Sequence, residues 1–133
     1  MKKISVIIPM YYEEEVAEEC YKRMTFVLQN IENYDYEIIC INDGSKDKTL
    51  TILENLAIKD KRLKVLSFSR NFGKEAGMYA GLAYADGDYV AIMDADLQDP
   101  PEFLIDMYDA VTKEGYDCAA ARRVTRKGEP PIR

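Results

Sequence analysis

The chain is 133 residues long, 47% apolar and 32% charged, with a formal net charge of −6. That length suits one domain with its own core, and the acidic balance argues against a nucleic-acid surface, which needs a basic stripe. The sequence has no histidine, which rules out Ser-His-Asp, Cys-His and His-metal chemistry.

The first element is "ISVIIP", Ile4 to Pro9. It has no polar face, as a strand buried on both sides should read. A helix is predicted from about Glu14 to Asn30. Val16, Cys20, Met24, Val27 and Ile31 recur at helical spacing, and the acids at its start suit the positive end of the helix dipole. "YEIICIND", Tyr36 to Asp43, reads as a second strand, and "GSKD" as a turn with Ser45 or Asp47 as N-cap. The next helix runs to about Lys59, with Leu50, Leu53, Leu56 and Ala57 inward. "LKVLSF" is a third strand and "SRNFGKE" a polar loop. A small-residue helix, Glu75 to Ala85, carries Gly77 and Gly81. The two glycines cost helix propensity, so close packing or close ligand approach must compensate. Tyr89 to Met93 is a fourth strand. Pro100-Pro101 begins a helix to about Lys113, with Phe103, Leu104, Met107 and Val111 inward. "YDCAAARR" reads as a weak fifth strand, and "TRKGEPPIR" as a basic tail or a cut.

Strands alternating with helices predict an α/β fold: a mostly parallel sheet with helices on both faces. Such sheets bind ligands beyond the carboxyl ends of their strands, near a switch in strand order. Three strand ends here carry acids, in "PMYYEE", "NDG" and "DAD". They should converge on one edge. Cys20, Cys40 and Cys118 are an odd count with no CxxC, which reads as reduced core thiols in a cytosolic protein. "MKKISVIIPM" is not a signal peptide, because Pro9 ends its short apolar run, and no stretch reaches the roughly 20 apolar residues that span a bilayer.

Each acidic motif has two readings. Asp94 and Asp96, one residue apart at a strand end, can approach a single hard cation such as Mg²⁺ or Mn²⁺, with the Gln98 amide oxygen nearby. They can equally be turn and cap residues before a helix, as Asp99 reads. Asp43-Gly44 is either a plain turn or a carboxylate that accepts hydrogen bonds from a base or ribose. Glu13 is a ligand group or a helix-start charge, whereas Glu14 and Glu15 read as the latter. Tyr11 and Tyr12 stack on a ring or cover the sheet edge. Arg70 and Lys74 meet phosphate charge or sit in a solvated loop. Independent accidents would not all fall on one sheet edge, and that favours the functional readings.

Together the stretches resemble the inverting family 2 glycosyltransferases of the GT-A fold. "VIIPMYYEEE" is similar to the family's first-strand signature, Pro-x-Tyr/Phe-Asn-Glu. "INDGSKDKT" is similar to its Asp-Asp-Gly-Ser-x-Asp turn, and "MDADLQDPPE" to its metal-binding DxD region. "SRNFGKEAGMYAGLAYADGDYV" and "LQDPPE" narrow the likeness to the membrane-associated branch of bactoprenol glucosyltransferases and dolichyl-phosphate mannosyltransferases. That branch moves a sugar from a nucleotide to a polyprenyl phosphate. The resemblance implies the Rossmann-like, nucleotide-binding half of a GT-A fold. It implies that Pro9, Tyr11, Glu13 and Asp43 hold base and ribose, and that Asp94 and Ala95 line the nucleotide site. Asp96, helped by Asp94 and Gln98, would hold Mg²⁺ or Mn²⁺ on the diphosphate, and Arg123 and Arg126 would face phosphates. The implied partners are a nucleotide-diphosphate sugar, with UDP-glucose or a related UDP-hexose favoured, and a polyprenyl phosphate at the cytoplasmic face of a membrane.

The sequence departs from the family pattern at Tyr12, where the family has Asn, at Asn42, where it often has Asp, and at Ala121, where it has Gly. The family also continues past this length with acceptor-site residues and, in this branch, transmembrane helices. The expectation is therefore a donor-binding domain over residues 1–123 and a basic tail over 124–133 leading into a longer enzyme. The catalytic residues on the acceptor side would lie beyond it. The rivals fit less well. A receiver-like regulatory module needs an acceptor Asp after the third strand, where this chain has "SFSRN". A dehalogenase-like phosphatase needs its DxD on the first strand. A sugar nucleotidyltransferase needs a basic Gly-rich loop where "PMYYEEE" stands. A family 2 enzyme with a polysaccharide acceptor, and a non-catalytic nucleotide-binding module, remain as alternatives.

Overall fold

In a computed structural model that describes residues 2–31 and 34–95, Lys2–Met10 forms β1 and Ala17–Gln29 forms α1. Then follow β2 (Tyr34–Asn42), α2 (Thr49–Lys59), β3 (Leu63–Ser67), α3 (Lys74–Tyr84) and β4 (Tyr89–Ile92). The expected helix after Pro100, the fifth strand, Cys118 and the basic tail lie outside the described residues.

All described strands are parallel, in the order β3-β2-β1-β4. β1 is central and pairs with β2 from Lys2↔Tyr34 to Met10↔Asn42, and with β4 from Ile4↔Tyr89 to Ile7↔Ile92. Strand alternation divides its side chains between two faces. Ile4, Val6, Ile8 and Met10 join Cys20, Met24 and Leu28 of α1, Leu53 of α2 and Cys40 of β2 in one core cluster. Ile7 packs with Ile39 and Ile41 on the other face, the one that α3 covers. The two crossovers from β1 to β3 share a face, and the crossover back to β4 uses the opposite one, as right-handed connections require. Each fully buried isoleucine contributes on the order of 2 kcal/mol.

α3 lies close to the sheet because its facing residues are glycines. A Cβ on Gly81 would stand 2.5 Å from Ile7 Cγ2 and 3.1 Å from Ile41 Cδ1. Close packing is thus the compensation for the lost helix propensity. Three local expectations are corrected. α1 begins at Ala17, so Glu14 and Glu15 sit in the turn before it, and the first-turn acids are Glu18 and Glu19. Leu50 is only half-buried, whereas Ile52 joins Leu53, Leu56 and Ala57 against the core. Neither Ser45 nor Asp47 is the N-cap of α2, which is Lys48. The Ser45 hydroxyl accepts the Tyr12 N–H, and Asp47 Oδ1 accepts the N–H of Thr49, the first residue of α2.

The amino edge of the sheet holds a buried acid that the sequence reading did not single out. Glu37 is 1% exposed. Its Oε1 accepts from Lys64 Nζ at 2.6 Å, and its Oε2 accepts from Ser5 Oγ at 2.6 Å and from Asp86 N at 3.0 Å. Lys3 Nζ lies 3.7 Å from Oε1. Burial pushes the Glu37 carboxyl up, but the Lys64, Ser5 and Asp86 hydrogen bonds outweigh it and hold the group well below the usual carboxylate range. Ser5 Oγ also accepts the Gly87 N–H at 2.9 Å, and Asp88 Oδ2 accepts the Lys3 N–H at 2.8 Å. These bonds pin the turn that leads into β4.

Candidate functional site

At the opposite, carboxyl edge, the strand ends open into a cleft of about 350 Å³. Pro9, Met10, Tyr11 and Glu13 come from the end of β1, Asp43 from β2, and Asp94 and Ala95 from β4. Asn71, Gly73 and Lys74 complete the lining from the loop into α3. β1 has β2 on one side and β4 on the other, so this is the switch point of the sheet. Pro9, Tyr11, Glu13, Asp43, Asp94 and Ala95, the candidates from sequence, all line this one cleft. Asp96, Gln98, Asp99, Arg123 and Arg126 lie outside the described residues. Met10, Asn71 and Gly73 were missed. Met10 stands between Pro9 and Tyr11 in the first-strand motif, whereas Asn71 and Gly73 had no signal of their own, because only the fold carries the loop after β3 over the end of β2.

The loops around the cleft are laced together by backbone donors. The Tyr12 N–H reaches Ser45 Oγ at 2.8 Å, and the Glu13 N–H reaches Thr49 Oγ1 at 3.0 Å. Thr49 Oγ1 in turn donates to Asp47 Oδ1 at 2.6 Å. Lys48 N donates to Glu14 Oε2 at 3.2 Å. Tyr12 has φ 53°, a left-handed conformation that asparagine tolerates and a bulky side chain resists. This is where the family pattern has Asn, so the departure is one of backbone strain. Asn42, the second departure, is buried and uses both ends of its amide: Nδ2 donates to Ser67 Oγ and Oδ1 accepts from Ser45 N, each at 3.2 Å.

Asp43 is 4% exposed. Its Oδ1 accepts the Phe72 N–H at 2.8 Å and its Oδ2 the Gly73 N–H at 3.0 Å. The carboxylate therefore clamps the loop that enters α3, and each oxygen keeps a second lone pair for a ligand. Gly44 lets that loop come so near. It has φ +76°, and a Cβ there would stand 2.2 Å from the Arg70 carbonyl carbon and 2.3 Å from Asn71 N. Arg70 itself turns onto the Phe72 ring, 4.6 Å from its centroid, and is not part of the cleft lining. Lys74 is: its Nζ donates to Asp94 Oδ1 at 2.6 Å.

Among the described residues no three His, Cys, Asp or Glu side chains cluster as a metal site. Asp94 is the one described member of the expected ligand set. Its hard oxygens at the cleft wall suit Mg²⁺ or Mn²⁺, ions that take one or two carboxylates and complete their shell with phosphate oxygens and water. Among the described residues no helix is long and apolar enough to cross a membrane. Cys20 and Cys40 are buried, and burial pushes the Cys40 thiol up.

A parallel sheet with acids gathered at its switch point defines an α/β architecture with its candidate ligand cleft at the carboxyl edge. The sequence model of glycosyl transferase family 2 matches residues 5–133, and the chain belongs to that family. It is 43% identical over 125 residues to an uncharacterized glycosyltransferase, YkcC, of Bacillus subtilis, covering 94% of this chain and 38% of the relative. It is 44% identical over 127 residues to a bactoprenol glucosyl transferase of Shigella phage SfV, covering 93% and 40%. Among solved structures it resembles the mannosyltransferase PcManGT of Pyrobaculum calidifontis, in complex with GDP-Man and Mn²⁺, with TM-score 0.69 and 22% identity over 84% of this chain and 32% of that one. TarS 1-349 of S. aureus, in complex with UDP-GlcNAc, matches with TM-score 0.58 and 28% identity over 80% and 32%. The fold is thus that of the GT-A glycosyltransferases, and the chain spans about two-fifths of the length of the curated relatives it matches.

Proposed function

We propose that the cleft holds the nucleotide diphosphate of a sugar donor, and that the whole protein transfers a hexose from that donor to a polyprenyl phosphate. The observation that carries this reading is the meeting of Glu13, Asp43 and Asp94, from three separate strand ends, in one cleft at the switch point. Relatives named bactoprenol glucosyl transferase at 44% identity support the acceptor class. The likeness to TarS, solved with UDP-GlcNAc, supports a uridine nucleotide, and UDP-glucose or a related UDP-hexose is the donor we favour.

Pro9, Tyr11, Glu13 and Asp43 then hold base and ribose, and Asp94 and Ala95 line the nucleotide site. Asp96, helped by Asp94 and Gln98, would hold Mg²⁺ or Mn²⁺, which would neutralise the charge that develops on the departing diphosphate. Arg123 and Arg126 would face phosphate groups of donor or acceptor. The phosphate oxygen of the acceptor attacks the anomeric carbon as the nucleotide leaves, and the configuration inverts. That nucleophile is already ionised, so the reaction needs a strong protein base less than a sugar hydroxyl would. Residues 1–123 make up the donor-binding domain. The site would face the cytoplasmic side of the membrane that carries the polyprenyl acceptor.

Calorimetric titration with UDP and GDP, with and without Mn²⁺, tests the reading in the parent and in the Asp94→Ala and Asp96→Ala variants. We expect Mn²⁺-dependent binding that each substitution weakens about tenfold or more, the loss of one charged contact. Binding indifferent to the ion and to both residues would overturn it.

A further inference from the structure

The cleft has a charge problem that one residue resolves. Its described lining carries the acids Glu13, Asp43 and Asp94 and a single basic residue, Lys74. A diphosphate entering that wall meets like charge. Lys74 is meanwhile occupied, its Nζ 2.6 Å from Asp94 Oδ1. A cation at the first residue of α3 faces the positive end of the dipole, so helix stability does not account for a lysine at this position. The pairing is also easily opened. The two side chains are 59% and 37% exposed, and an exposed ion pair has little strength. The backbone beneath the lysine is held firmly by contrast, since Asp43 takes the Phe72 and Gly73 N–H groups just before it. A fixed base and a loosely held tip are what a side chain needs in order to exchange partners.

We propose that Lys74 is the resident counter-ion of Asp94 and moves from that carboxylate to the donor's diphosphate when nucleotide and cation enter together. The inference rests on the proposed donor site and adds a positioning role to it. Without nucleotide, Lys74 and a divalent cation compete for Asp94. With nucleotide they act together, the cation on Asp94 and the ammonium on a phosphate oxygen. Removing the lysine should therefore shift two affinities in opposite directions, which a merely structural residue would not do.

The test uses the protein in its full length, with Mn²⁺ alone and UDP as probes. Lys74→Met should bind Mn²⁺ alone about threefold to fivefold more tightly, the strength of an exposed ion pair. In saturating Mn²⁺ the same variant should bind UDP about tenfold more weakly, the loss of one charge-assisted hydrogen bond. Lys74→Arg should bring both values back toward the parent. Lys46→Met, which removes the same charge from an exposed position that does not line the cleft, should move neither value by as much as twofold. If the parent binds UDP with Mn²⁺ while Lys74→Met leaves the Mn²⁺ affinity unchanged, or lowers both affinities, the exchange is overturned and the donor site stands. If the parent binds neither UDP nor GDP with Mn²⁺, the donor site is refuted and the exchange with it.

Discussion

β2 carries a buried acid toward each end: Glu37 on the amino side and Asp43 just past its last residue. Both are nearly inaccessible and both accept backbone N–H groups, yet they do opposite things. Glu37 sits against the lysine ammoniums of residues 3 and 64, so its charge is neutralised and spent on holding the sheet edge. Asp43 has the N–H groups of Phe72 and Gly73 for partners. Among the described residues its charge is hydrogen-bonded without an ammonium, and each oxygen keeps a lone pair beyond the backbone N–H it accepts. A buried acid with its own cation is scaffold; one held by neutral dipoles leaves negative potential where a ligand can meet it.

The comparison breaks most sharply at Gly44. Gly44→Ala drives a Cβ into the Arg70–Asn71 backbone at a positive φ, and chemical denaturation should show a loss of about 3 kcal/mol or more. The lesion should be centred on the carboxyl edge, with the Glu37 cluster intact in spectra of the folded protein. Glu37→Ala comes next. It strands the buried donors and the ammonium of Lys64, at a cost of about 2–4 kcal/mol. If the two edges are separate in function, nucleotide affinity in the folded variant stays within about twofold, a shift of under 1 kcal/mol.

Acid titration sharpens the same contrast. The folded Glu37 carboxyl is depressed from 4.5 to about 2. The unfolded chain therefore takes up its proton first as pH falls. The stabilisation from this group is complete above pH 4.5 and drains away as pH drops toward about 2, up to roughly 3 kcal/mol. Denaturation midpoints of the parent should fall across that window, and those of Glu37→Gln should fall less.

Asp43→Asn tests the other end. The amide has one acceptor oxygen where the carboxylate has two, so one of the Phe72 and Gly73 N–H bonds is lost, at about 1–2 kcal/mol. Hydrogen exchange at those two amides should quicken, while exchange at Asp86 and Gly87 is unchanged. The smallest effect belongs to Tyr12. Tyr12→Asn relieves a left-handed backbone and should stabilise the fold by about 0.5–1 kcal/mol, less whatever the edge contact with the Tyr11 ring at 4.6 Å supplies.

Much of this was legible in the residues themselves. Continuous apolar runs mark the strands, helical spacing marks α1 and α2, small residues mark α3, and the acids at three strand ends name one cleft wall. Glu37 also left a trace that the reading passed over. It is the one charge in "YEIICIN", Tyr36 to Asn42, and a lone acid inside a two-faced apolar strand must find a partner. Ser5 is its register partner on β1, but that fact needs the pairing of the strands.

What the sequence determined by itself is therefore local: where strands and helices run, which side chains turn inward, and which three strands, β1, β2 and β4, run into an acid at their carboxyl ends. Only the tertiary structure decided that β4 returns to the far side of β1, and that the loop after β3 comes to rest on Gly44. It alone made Asp43 a clamp and brought Lys74 to Asp94. Those contacts join residues 29, 30 and 20 positions apart. No backbone propensity acts over such separations. They form because right-handed crossovers and a buried sheet leave the chain one compact way to close.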